Sequence, residues 1–313
     1  MEHRPLGGSG IEVSVLALGS WRTFERISRE QGVAVMRAAR EAGIDFLDDA
    51  RYNDETGAAP IPTGWSEVVF GELFREAGWR RDEVTVANKL WWEFWPRESA
   101  AQELDGSLGR MRLDHVDLIY AERPAKAAGL TVAEAVESCA ALVAAGKARA
   151  WGVLNWAPAE IREAAEHAAA HGLPAPCAAQ LAYSLVSRSP VEDAATTAAL
   201  EAAGASVVAS ASLAFGALSG KYARGEGGRI AGELDDPRWA AALAAAAPLA
   251  ELASRLEKTP APLAYAFALS GPRVASVLCG ATSPEQVAEN AGAAELARRL
   301  AGDDLAALRA IGG

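Results

Sequence analysis

The chain is poor in the residues that bind metals or cross-link. Among its 313 residues are three cysteines, Cys139, Cys177 and Cys279, far apart inside apolar segments. They form no Cys-x-x-Cys pair and no zinc spacing, which excludes a disulfide scaffold and reads as small core residues in a reducing compartment. Histidine is also scarce: His3, His115, His167 and His171. None stands at the C-terminal end of a strand candidate, so a His-based triad or a His-ligated metal has no ligand there. His167 and His171 lie four apart on one helical segment, a solvated face without a third ligand. No run approaches the ~18 uninterrupted apolar residues of a membrane span. The opening "MEHRPLGGSG" has no apolar signal core, so the expected location is cytoplasmic, away from membranes. Charge blocks are missing as well. The net charge is −11, with acidic and basic residues interspersed, which excludes a nucleic-acid partner and reads as solubility.

Half of the residues are apolar, enough for a large core, and barrels of alternating strands and helices reach this length as one unit. Short apolar or β-branched runs recur: "VLALG" (15–19), "DFLDDA" (45–50), "VTVANK" (84–89), "VDLIYA" (116–121), "ARAWGVL" (148–154), "CAAQLAY" (177–183), "SVVASAS" (206–212) and "VASVLCG" (274–280). After them come segments of helical periodicity at 29–42, 66–78, 97–111, 132–145, 157–170, 193–203, 237–256 and 283–299, several opened by Ser, Thr or Pro. Eight strand-then-helix units with continuously apolar strands predict a parallel sheet closed into a single (β/α)8 barrel domain over 1–313, with an N-terminal β-hairpin. An open doubly wound sheet is the alternative. Its dinucleotide-binding form wants G-x-G-x-x-G after the first strand, and "GGSG" (7–10) has neither the spacing nor a strand before it.

Active sites of such barrels collect at the C-terminal ends of the strands. Asp48, Lys89, Glu122, Asn155 and Ser212 stand at such ends, with Tyr52 just beyond one. A tyrosine is a poor proton donor or acceptor near neutral pH unless a cation lowers its pKa. Lys89 is placed to do so, with Asp48 keeping the lysine charged. The plainer alternatives are an Asp48–Lys89 ion pair that only stabilises and a Tyr52 that only packs. Asp48 and Glu122 could also form a glycosidase couple of acid and nucleophile. Trp21, Trp65, Trp91, Trp92, Trp95 and Trp156 fall in or beside the loops at these strand ends. Trp21, Trp91, Trp92 and Trp156 are read as an aromatic pocket for a small-molecule substrate, although adjacent Trp91 and Trp92 cannot both face inward unless the backbone turns between them.

In order along the chain, "PLGGSGIEVSVLALGSW", "GIDFLDDARY", "VTVANK", "VDLIYAERP", "GKARAWGVLNW", "QLAYSLVSR", "FGALSGKY" and "VLCGATSPEQVAEN" resemble the successive motifs of the aldo-keto reductases. The resemblance spans nearly the whole chain and implies hydride transfer from an extended nicotinamide cofactor lying across the barrel mouth. Matched position by position, Tyr52 would be the proton donor, with Lys89 and Asp48 tuning it. Asn155 and Gln180 would bind the carboxamide. Gly280, Thr282, Gln286, Glu289 and Asn290 would lie along the adenosine end, and Lys221 would follow the loop over the pyrophosphate. Ser20, Trp21, Asp48, Ser210, Leu213, Gly216 and Leu218 complete the expected cofactor contacts. The family mostly uses NADP(H). NAD(H) is the alternative, because "GATSPEQVAEN" carries no Arg or Lys for a 2′-phosphate.

Four positions depart from the family pattern. Glu122 replaces a histidine, Leu154 a carboxamide-binding serine and Ser210 a stacking aromatic, while Tyr52 follows Asp48 by four residues rather than five. An ionised Glu122 would repel a developing alkoxide, so the resemblance asks for a protonated carboxyl that donates to the substrate. The same exchange marks the branch that reduces conjugated C=C bonds, which sets enone reduction beside carbonyl reduction. Relatives that bind the cofactor as redox-sensing channel subunits supply a third reading, with little turnover. The expected assembly is a monomer or small homo-oligomer.

Overall fold

The computed structural model describes residues 1–127 and 129–313. An antiparallel hairpin of β1 (His3–Pro5) and β2 (Glu12–Ser14) precedes eight parallel strands: β3 (Leu16–Gly19), β4 (Phe46–Asp48), β5 (Thr85–Leu90), β6 (Val116–Glu122), β7 (Ala148–Leu154), β8 (Ala178–Ala182), β9 (Ser206–Ser210) and β10 (Val274–Cys279). Each pairs with the next in sequence, and β10 pairs with both β9 and β3, so the sheet closes. The predicted (β/α)8 barrel is the architecture found. β5 and β6 are buried along their whole length, because one face looks into the barrel and the other lies under helices.

The helices begin where side chains satisfy their free amides. Ser28 caps α1 (Arg29–Glu41), Ser99 and Gln102 form a capping box on α3 (Ala100–Met111), and Thr131 and Glu134 form another on α4 (Val132–Ala144). The Ser99 cap explains why α3 starts three residues later than its periodicity suggested. Also present are α2 (Trp65–Glu76), α5 (Pro158–His171), α6 (Ser189–Glu192), α7 (Ala194–Ala203), α8 (Ala240–Arg255), α9 (Pro260–Leu269), α10 (Pro284–Arg299) and α11 (Gly302–Ile311). Of these, α6, α9 and α11 have no counterpart in the sequence reading. No helix among the described residues is long and apolar enough to cross a membrane.

Two apolar clusters build the core. The larger lies between strands and helices. The smaller joins inward-facing Ala17, Phe46, Ala87, Leu118, Tyr120, Ala150, Ala178, Val208 and Ala275 to Leu6, Ile11 and Val13 of the hairpin. Gly7 N–H donates to Ser206 Oγ at the start of β9, so the hairpin plugs the N-terminal end of the barrel and leaves the C-terminal end open.

Candidate active site

Strand alternation sets the site. Residues two apart on a strand share a face, so Asp48 sits one layer above inward-facing Phe46, Lys89 above Ala87 and Gln180 above Ala178. The parallel register places β4, β5 and β6 side by side. Lys89 Nζ then reaches three acceptors: Asp48 Oδ1, Tyr52 Oη at 3.2 Å and the Asp49 carbonyl at 3.4 Å. These use all three ammonium protons. Gln180 Nε2 donates to the other Asp48 oxygen at 2.9 Å. Burial opposes the charge on Lys89, but Asp48 and Tyr52 more than offset it and hold its pKa above the usual lysine range.

Tyr52 arrives by a tight turn. Its N–H donates to the Ala50 carbonyl at 2.9 Å, and Ser66 Oγ donates to that same carbonyl at 2.7 Å. This two-residue closure lets a four-residue spacing from Asp48 deliver the phenol to Lys89. The phenol is pushed up by burial, which outweighs the lowering by Lys89. The expectation that Lys89 holds Tyr52 below its ordinary value is therefore corrected: the lysine limits a rise caused by desolvation.

Above this group opens a cavity of about 1150 Å³. At its barrel end stand Trp21, Tyr52, Trp91, Leu154 and Gln180, and at its far end Gly280, Thr282, Gln286, Glu289 and Asn290. Between them run Ser210, Leu213, Phe215, Gly216, Lys221 and Arg229. Phe215 stands edge-on to Trp21, ring centres 5.6 Å apart. Asn155 lines the cavity with φ of 55°, its N–H donating to the Gln180 carbonyl. At the far end Gln31 Nε2 holds the Thr282 carbonyl, while Thr282 N–H donates to Gln286 Oε1 at the start of α10.

Two cations in this wall pair with no carboxylate among the described residues. Arg229 Nη2 donates to the Trp21 carbonyl at 2.7 Å and to Thr23 Oγ1 at 3.2 Å. Lys221 is pushed down by burial and by the charge of Arg229. Glycines make room for both. A Cβ on Gly280 would stand 2.9 Å from Arg229 Nη2, and one on Gly216, whose φ is 93°, would stand 2.8 Å from Lys221 Cε. Unpaired cations in a glycine-lined groove beside a helix N-terminus suit a phosphorylated ligand.

A profile of the Aldo/keto reductase family matches residues 15–312. The chain belongs to the aldo/keto reductase family. It is 33% identical over 311 residues to the "Probable voltage-gated potassium channel subunit beta" of Oryza sativa subsp. japonica, covering 93% of this chain and 90% of that protein. It is 31% identical over 318 residues to the "Putative voltage-gated potassium channel subunit beta" of Schizosaccharomyces pombe, covering 95% and 89%. An Arabidopsis thaliana protein, "Probable voltage-gated potassium channel subunit beta", is 29% identical over 317 residues, covering 95% and 92%. The family is one of oxidoreductases acting on small molecules.

Five residues expected at the site of this aldo/keto reductase do not line the cavity among the described residues. Ser20 is buried, its Oγ donating to Asp49. Leu218 is fully enclosed in the core. Trp92 turns away at φ of 58°, burying its ring and donating from Nε1 to the Glu122 carbonyl at 3.0 Å. Trp156 likewise donates to the Ala121 carbonyl at 2.8 Å. Glu122 shares the inward face of Leu118 and Tyr120, but its carboxylate folds over the turn that follows. Oε1 accepts the Arg123 N–H at 2.8 Å and Oε2 accepts Lys126 Nζ at 2.9 Å. Both carboxylate oxygens are thus engaged at the turn rather than turned toward the cavity, where the carboxyl was expected to meet a substrate.

Sequence reasoning missed Arg229 and Phe215. The glycine-rich "GEGGR" before the arginine was a usable signal for a loop folding over a ligand. A cation, Arg229, thus lines the same cavity as the cation-free "GATSPEQVAEN". No group of three or more His, Cys, Asp and Glu able to hold a metal occurs among the described residues.

Proposed function

We propose that the chain is an NADP(H)-dependent oxidoreductase that reduces an aldehyde or ketone, keto-sugars included, to an alcohol, with Tyr52 as proton donor. One observation carries this: a single buried ammonium, Lys89, is bound to Asp48 while standing 3.2 Å from Tyr52 Oη. A nicotinamide dinucleotide bound in the groove would supply the hydride. Tyr52, raised by burial, keeps its proton at neutral pH and yields it to an alkoxide, a stronger base than phenolate. Lys89 stabilises the phenolate left behind, Asp48 keeps Lys89 charged, and Gln180 fixes Asp48. Arg229 and Lys221 would hold phosphates, and the cation at position 229 supports NADP(H) over NAD(H). Asn155 would orient the carboxamide. Enone reduction rests on the exchange of histidine for Glu122, and the glycosidase couple on Asp48 and Glu122 facing one cleft. Glu122 is held at the turn by Lys126 and the Arg123 N–H and does not line the cavity, which favours carbonyl reduction over both.

Tyr52→Phe should lower NADPH oxidation with a panel of aldehydes and ketones by about 10²–10⁴ while leaving NADPH binding, followed by fluorescence, unchanged. Near-wild-type turnover in that variant would end the assignment. The second reading, a cofactor-binding redox sensor with little turnover, is favoured by the names of the three similar proteins above, each a "Probable" or "Putative voltage-gated potassium channel subunit beta". Counting turnovers separates them: oxidation that stops after one equivalent of bound cofactor in the presence of excess carbonyl supports the sensor.

A further inference from the structure

Tyr52 and Trp91 meet across the cavity floor, ring centres 6.0 Å apart and planes at 56°. No polar contact of the indole fixes that pose, since Trp91 Nε1 is buried without an acceptor among the described residues. The backbone is what is held. Trp91 N–H donates to Glu103 Oε1 at 2.8 Å, and Trp92 N–H donates to Glu103 Oε2 at 3.2 Å. Glu103 lies in the first turn of α3, 2% exposed. The same Oε1 accepts Arg51 Nη2 at 3.0 Å, and Arg51 Nη1 reaches Glu98 at 3.0 Å.

Arg51 directly precedes Tyr52, and its side chain is 3% exposed. One buried ion pair therefore joins the loop that carries Tyr52 to the loop that carries Trp91. Such a pair is a weak way to gain stability, because desolvation offsets most of its attraction. It is a strong way to fix geometry, since the planar guanidinium holds Glu103 and Glu98 on two different nitrogens at once. Glu103 also holds the turn at Trp92, whose positive φ is an outlier for a bulky residue. That turn sends Trp91 to the cavity and Trp92 to the core.

We infer that Arg51 and Glu103 are positioning residues that set the Trp91 wall beside Tyr52, and that this placement governs how tightly the carbonyl substrate is held. The inference rests on the reading of Tyr52 as proton donor. Glu103→Gln sets an NH₂ group either against Trp92 N–H or against both Trp91 N–H and the guanidinium, so the pair of acceptors that fixes the Trp91–Trp92 turn is broken in either orientation.

The test uses the full chain with NADPH and 4-nitrobenzaldehyde as the probe carbonyl. Glu103→Gln should raise KM for the aldehyde about tenfold, with kcat and NADPH affinity nearly unchanged. Adding it to Trp91→Phe should have no further effect, because Glu103 acts through Trp91. A second readout needs no turnover: the ¹⁵N indole spectrum of the nine tryptophans, in which the Trp91 signal is assigned by its loss in Trp91→Phe. In Glu103→Gln that signal should move and its proton exchange faster, with the others in place. Arg51→Lys, which keeps the charge but loses the fork, carries the same expectations should Glu103→Gln not fold. If the wild type oxidises no NADPH with any carbonyl, the functional reading falls and the indole spectrum alone decides the inference. An unmoved Trp91 signal, or KM effects that add in full in the double variant, overturns it.

Discussion

Asp49 does different work from its neighbour Asp48. Alternation turns it out of the barrel toward α2, where Ser20 Oγ donates to one oxygen and the other has no partner among the described residues. Burial first, then the charge of Glu67, pushes its pKa well above the usual carboxylate range. The folded chain therefore holds a proton that the unfolded chain releases near pH 4. Its contribution to stability is complete below that pH and declines as pH rises toward the folded value, by up to ~1.4 kcal/mol per pH unit. Asn lacks this linkage and can still accept from Ser20. Asp49→Asn should thus gain in melting temperature on the wild type as pH rises from about 4, until the folded carboxyl itself ionises. A constant difference across that range would mean the aspartate is ionised in the fold.

Arg229 shows why one residue of the site was hard to read in the sequence. Its role depends on contacts with Trp21 and Thr23, some two hundred positions away, and no local spacing encodes such an approach. Asp48 and Lys89 were legible because each stands at the C-terminal end of a strand whose alternation fixes its face, and Gln180 through the resemblance carried by "QLAYSLVSR". Glu122 was legible in position but not in direction, since Lys126 claims it through the turn Pro124–Lys126. At the same scale, Arg229→Met should weaken NADPH binding about tenfold or more, the size expected for losing a charged hydrogen-bond donor to phosphate. NADH binding should fall less. Equal losses for the two cofactors would place the guanidinium away from the 2′-phosphate.

Among the elements, the strands were readable because a barrel strand is apolar on both faces and bounded by turn residues. Helix α9 was not, and the reason is its burial. Eight of its ten residues are enclosed, so it has no polar stripe to reveal a helical period, and the prolines at positions 260 and 262 suggest a loop instead. The hairpin β1–β2 is the opposite case, short and marginal alone but anchored by Leu6, which is fully buried in the inner cluster. Leu6→Ala should cost about 2–5 kcal/mol of stability yet leave NADPH affinity intact, because the plug and the cavity occupy opposite ends of the barrel. Loss of cofactor affinity in a still-folded variant would show that the two ends are coupled.

Taken as a whole, the cavity is assembled from nearly the full length of the chain, from Gly19 on the first barrel strand's end to Asn290 in α10. Strand β3 and strand β10, which leads into α10, are also a pair that closes the sheet. A ligand lying along the groove would therefore span the seam where the beginning and end of the chain meet, as a strap across the closing joint of a cask. Whatever binds the folded form alone shifts the folding balance by mass action, by about 2.7 kcal/mol at a hundred times its dissociation constant. Cofactor supply would then govern how long the protein survives in a cell as well as how fast it works: starved of its dinucleotide, the barrel would open and meet proteases more often.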